Sequence, residues 1–280
     1  MNTKMKMALM AGVLSLSVVG QANAAIVNNG TYANNLVLSV WDQTNLTSYT
    51  ANLGTTMASM LTGITFGGTS TAPVISGSST ATGFTFSDAA LTSFLATASA
   101  NTTWSVSAVN MNVLGYGTAG VMTTSVAVPA VQNSATLAAS SNFGLNYVST
   151  VNTLMGAGTS ITTTSATGGL AYVGTGTGTN LNSGLSFSNQ ASIGQSEGFY
   201  FFTPTANSRN SFVGNAASYA FGNTAGASSF TLGTSGLTYS VAGAVAPVPE
   251  PGEWLLMLSG LGLIGFIATR RKEENSMTFA

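Results

Sequence analysis

Short runs of apolar residues alternating with Ser and Thr set the pattern of the chain between residues 25 and about 246. Leu36-Val37-Leu38-Ser39-Val40-Trp41 is rich in strand formers. Gly63-Ile64-Thr65-Phe66, Phe84-Thr85-Phe86, Trp104 to Val109 and Ser125 to Val128 alternate apolar with hydroxyl or small residues. A period of two with hydroxyls outward predicts half-buried strands. Phe199-Tyr200-Phe201-Phe202 predicts a strand with both faces buried, stopped by Pro204. Phe230 to Leu232 and Leu237 to Val241 flank Gly233-Thr234-Ser235-Gly236, which predicts a terminal hairpin. A helix is predicted from a cap at Ser87 or Asp88 to about Ala98, with Leu91, Phe94 and Leu95 on one face. One or two more are predicted within 130–156, where Val131, Leu137, Leu145, Val148, Val151 and Leu154 recur. Gly174 to Thr179 alternates Gly and Thr and predicts a loop. No repeat of 20–50 residues is present, so neither a solenoid nor a propeller is expected. The expected fold is mainly β: one β-rich, sandwich-like domain with a few inserted helices.

The two ends follow a different pattern. Lys4 and Lys6 precede an apolar stretch, Ala8 to Val19, and then Gly20-Gln21-Ala22-Asn23-Ala24. A basic start, a short apolar core and small residues at Ala22 and Ala24 predict a signal peptide over 1–24, cut by signal peptidase before Ala25. At the other end, Val248-Pro249-Glu250-Pro251 leads into an apolar run from Trp254 to Thr269, closed by Arg270, Arg271 and Lys272. At 1.5 Å per residue that run is roughly 24 Å long, enough for a short transmembrane helix anchored by Trp254 and its basic end. The basic cluster is expected on the cytoplasmic side of the inner membrane, which places the bulk of the chain outside. Two prolines hold the segment before the helix extended and accessible. The expected organisation is a signal peptide (1–24), an exported domain (25–246) and a sorting and anchor segment (247–280). Gly260, Gly262 and Gly265 satisfy the spacing of a dinucleotide fingerprint, but within one apolar run they read as small residues of a membrane helix.

Pro249-Glu250-Pro251, the apolar helix and the basic stop together resemble the PEP-CTERM sorting signal of Gram-negative bacteria. That resemblance implies recognition by an exosortase, an integral-membrane cysteine enzyme that cuts near the motif. It also implies a cell-surface or extracellular-matrix destination associated with exopolysaccharide and biofilm. It covers about 25 residues and leaves the passenger open. Asn35 to Asp42, with Thr47-Ser48-Tyr49-Thr50 and Leu53-Gly54, is similar to the opening of uncharacterised exported proteins with the same kind of tail.

Composition removes much chemistry. Only 13 residues are charged, 5% of the chain, and there is no Cys and no His. Without His there is no Ser-His-Asp triad, and without Cys or His no ordinary zinc, haem or iron–sulfur site. No cofactor is expected. A net charge of −1 gives no reason to expect nucleic acid as a partner. Between the ends lie four charges: Asp42, Asp88, Glu197 and Arg209. Paired carboxylates could serve glycoside hydrolysis, but each has a simpler role. Asp42 can hold a turn, Asp88 can cap a helix, Glu197 falls in a polar loop before Phe199, and Arg209 lies among polar residues. No catalytic residue, metal ligand or enzyme activity is expected. Ser and Thr supply about a quarter of the residues. Such a surface fits a matrix or surface protein, or alternatively a carbohydrate-binding module. The sequons at Asn29, Asn45 and Asn101 permit glycosylation.

Overall fold

The computed structural model describes residues 26, 32–62, 64, 74–76, 83–110, 120–129, 137, 143–174, 190–204, 216–223, 225–242 and 259. The chain divides into two compact units, 1–243 and 244–280. The first is mainly β. Its strands join one curled sheet, in place of the two separate layers that a sandwich implies.

The centre of the sheet is made by its longest strands. β1 (Tyr32–Asp42) lies antiparallel between β2 (Thr47–Thr56) and β5 (Thr102–Asn110). β5 continues to β6 (Gly120–Ser125), and β6 to β9 (Ser196–Pro204). From β9 the order runs through β12 (Ser229–Gly233) and β13 (Gly236–Ser240) to β4 (Phe84–Phe86) at one end. At the other end β7 (Ser160–Thr164) pairs with β2. β9 also carries β10 (Ala216–Asn223) along its C-terminal half, and β3 (Val74–Ser76) lies parallel to β10. Two-residue strands β8 (Ala191–Ser192) and β11 (Gly226–Ala227) pair with β5 and β10.

Alternation sorts side chains onto two cores. Leu36, Leu38 and Val40 of β1 face inward with Trp104, Val106, Phe199, Phe201, Phe230 and Tyr239. Val37 faces outward with Val109, Val121, Tyr200 and Phe202. This is why Phe199 to Phe202 carries no polar break: both faces of β9 are covered. The outer face is covered by a π-helix (Phe143–Val148) running into α3 (Ser149–Met155), whose Val148, Val151 and Met155 complete the outer core. A 3-10 turn (Gly169–Ala171) adds Ala171.

α1 (Met57–Leu61) follows β2 directly, begun by a capping box between Thr56 and Ser59. α2 (Ala89–Thr97) starts at Asp88, and buries Leu91 and Phe94 in the inner core. It leaves β4, one end of the sheet, and is tied to β2 near the other. Asp88 accepts a 2.9 Å hydrogen bond from the Tyr49 hydroxyl, and Asn45 Nδ2 donates to the Thr97 carbonyl at 3.2 Å. The helix thus bridges the gap that the curled sheet leaves open.

Three expectations about particular residues change. β6 occupies 120–125, so Val126 and Val128 are not in a strand, and Val128 is 72% exposed. The Ser125 hydroxyl donates to the Ala127 carbonyl and turns the chain away. Leu154 lies on the exposed side of α3, not on its buried face. Glu197 sits inside β9 rather than in a loop. The predicted strand at 63–66 and the Gly/Thr loop at 174–179 lie outside the described residues, apart from Ile64 and Gly174.

Candidate functional site

The residues expected to direct export and sorting lie outside the described residues: Ala22 and Ala24, Pro249, Glu250 and Pro251, and Arg270, Arg271 and Lys272. So does the predicted membrane helix 254–269, except Ser259. Among the described residues no helix is long and apolar enough to cross a membrane, and no group of acidic residues is placed to hold a metal ion. Arg209 is also outside them.

The three described charges of the passenger are all carboxylates, and each is built into the fold differently. Asp42 ends β1 and holds the hairpin turn. It accepts from the backbone N–H of Thr44 and Asn45 at 3.0 Å, and from Asn45 Nδ2 at 2.8 Å. It also accepts from the backbone N–H and hydroxyl of Ser99, at 2.8 and 2.6 Å. Burial alone would raise its pKa. The bonds from Ser99 and Asn45 favour the anion more strongly and hold it down to about 2. Asp88 accepts the Leu91 N–H at 2.6 Å as an N-cap. The same carboxylate binds Tyr49, whose phenol is pushed up by burial first and by this neighbouring charge second. Asp42 is therefore bound just past the C-terminus of α2, and Asp88 at its N-terminus. The helix between them spans Ala89–Thr97, roughly 12 Å long at 1.5 Å per residue. Carboxyl pairs that cleave glycosides stand about 5–9.5 Å apart.

Glu197 is the unexpected one. It faces the inner core between Phe199 on its own strand and Phe230 directly opposite on β12. It has no solvent exposure, and neither carboxyl oxygen completes a hydrogen bond. Burial pushes its pKa up to about 9, and the Thr124 hydroxyl beside it offsets only part of that. At neutral pH Glu197 is a neutral acid. Its position was readable from the inward alternation of Glu197, Phe199 and Phe201, had a charged residue been admitted to a core position.

Hydroxyl pairs tie the outer face of the sheet, where no described cation is available. Ser48 meets Thr163 at 2.8 Å, Ser107 meets Thr123 at 3.0 Å, and the Tyr147 hydroxyl reaches Ser39 and Thr50 from the π-helix above. Each described Tyr whose side chain is placed is buried, as is Trp104. Trp41 is half-buried, and its Nε1 donates to the Tyr172 hydroxyl at 2.9 Å. The sequon amides are engaged too, Asn45 as above and Asn101 Nδ2 to Thr44 Oγ1 at 3.1 Å. Asn29 is outside the described residues.

Among the described residues the carboxylates and aromatic side chains are thus taken up by the fold, and the recognisable signal is linear. The model of the PEP-CTERM protein-sorting motif matches residues 247–272. The C-terminus is a PEP-CTERM sorting signal. Its match takes in Pro249, Glu250, Pro251, the apolar run and the basic stop. A PEP-CTERM tail marks an exported protein whose sorting enzyme is an exosortase. Comparison with curated proteins and with solved structures gives no match for the chain.

Proposed function

We propose that the passenger is a non-enzymatic cell-surface or extracellular-matrix protein associated with exopolysaccharide or biofilm matrix, delivered there by its PEP-CTERM tail. The match at 247–272 carries this reading. Signal peptidase removes residues 1–24, the helix 254–269 holds the intermediate in the inner membrane, and the exosortase releases the passenger by cutting near Glu250. A non-enzymatic role is supported by the use of Asp42 and Asp88 as a turn anchor and a helix cap. It is supported also by the burial of Glu197 away from solvent.

A carbohydrate-binding module is the second reading. Sugar-binding faces commonly present aromatic rings to solvent, because a ring offers flat apolar area at low entropic cost. Here the described Tyr and Trp side chains are spent on the two cores and on the half-buried Trp41–Tyr172 pair. This supports the structural role over the carbohydrate-binding one.

Mass spectrometry of the released protein tests the sorting step. The released form should end near Pro251, and Glu250→Ala or loss of the exosortase should leave the full-length species in the inner membrane. Peptides from Leu255 to Arg270 in the matrix fraction would refute it.

A further inference from the structure

Ile26 stands two residues beyond the predicted cut between Ala24 and Ala25, and it is not a loose end. Its side chain is 1% exposed and belongs to the outer core with Val148, Val151 and Met155. Both of its backbone polar groups are satisfied by one side chain. The Ile26 N–H donates to Asn152 Oδ1 at 2.9 Å, and Asn152 Nδ2 donates to the Ile26 carbonyl at 2.7 Å. The amide of Asn152 thus does for residue 26 what a neighbouring strand would do, across 126 residues of sequence. α3 places that amide beside the outer core because Val148, Val151 and Met155 face the sheet and Asn152 sits at the rim, half-buried.

A peptidase must hold the residues flanking its scissile bond in an extended, reachable form. Residue 26 cannot lie in a protease groove while it is buried with both backbone groups engaged. Docking on Asn152 and cleavage after Ala24 therefore exclude one another. We propose that Asn152 and the outer core beside it form an intramolecular receptor for Ile26, so that cleavage of the signal peptide precedes completion of the fold. This rests on the cut before Ala25. A chain that docks Ile26 early shields its own processing site, whereas one that is cut first seals its new N-terminus onto α3.

The test uses the full-length precursor, folded in detergent micelles and treated with signal peptidase. Asn152→Ala removes both bonds at a half-exposed position and leaves the apolar contacts of α3 in place. Two hydrogen bonds together hold such a docked segment shut by a factor of roughly ten. The variant precursor should be cut about tenfold faster than the parent, and hydrogen exchange at the Ile26 amide should accelerate by the same factor. Equal exchange in parent and variant overturns the docking. Faster exchange with an unchanged rate of cutting overturns the order of events. N-terminal sequencing separates these from the cut-site reading. A mature chain beginning before Ala25 corrects the cut alone, provided the two rate changes hold, while one beginning after Ile26 overturns both.

Discussion

Replacing Glu197 with Gln should stabilise the passenger at neutral pH and remove most of the pH dependence of its stability above pH 5. Glu197 is raised from an ordinary value of 4.5 to about 9 in the fold. The unfolded chain therefore gives up this proton from pH 4.5 upward, while the folded chain keeps it to about pH 9. The contribution of Glu197 to stability is greatest below 4.5, falls by about 1.4 kcal/mol per pH unit between the two values, and levels off above 9. At pH 7 this costs the folded state about 3 kcal/mol. Glu197→Gln cannot ionise in either state and keeps the size of the side chain. For a domain of this length a gain of that size raises Tm by roughly 6–12 °C. Urea unfolding of parent and variant at pH 5, 7 and 9, followed through the fluorescence of buried Trp104, measures the difference directly. The gap should be small at pH 5 and widen steadily to pH 9. A gap that stays constant over that range would refute the assignment of Glu197 as a buried neutral acid, whichever protein is the more stable.

Asp42 should behave in the opposite sense. Its folded pKa lies below the ordinary value, so its contribution is full above about pH 4 and is lost as pH falls through about 2. Asp42→Ala should cost about 2–4 kcal/mol at pH 7, because five donors lose their acceptor, and the loss should shrink in acid when measured by denaturant unfolding. Gly120→Ala should cost roughly 1–3 kcal/mol by the same assay, since a Cβ there would run into the Phe202 carbonyl and the Phe201 ring. Terminal sequencing of the exported protein should begin at Ala25, and a bulky residue in place of Ala24 should leave uncut precursor in the inner membrane.

The parts of the fold that sequence made legible are those where one physical rule acts alone. β1, β5, β9 and the β12–β13 hairpin follow from alternation and strand-forming residues, and Asp88 follows from capping chemistry. β10 was not legible, because Ala216-Ala217-Ser218 carries no strand preference and becomes a strand by pairing with β9. β7 is three threonines after Ser160 and Ile161, ordered by its register on β2. α1 was hidden because Ser59 stands where a capping box usually has Glu or Gln. Alternation misled at Val126 and Val128, where the strand had already ended at Ser125. Glu197 was misplaced because a charged residue argues against a core position unless burial neutralises it. The sorting signal, by contrast, is linear, and its residue order alone identifies it.

The bridging helix α2 has a consequence for encounters with other chains. The two terminal strands of the sheet path, β4 and β7, are only three and five residues long. Short edges offer a neighbouring chain little backbone to copy. Both ends of the path depend on one side chain: Asp88 starts the helix that continues from β4 and latches Tyr49 on the strand that carries β7. The Asp88–Tyr49 contact therefore ties the two ends of the strand path to one another. Losing it would free both margins of a Thr-rich sheet together and bare their unpaired backbone to any neighbouring chain.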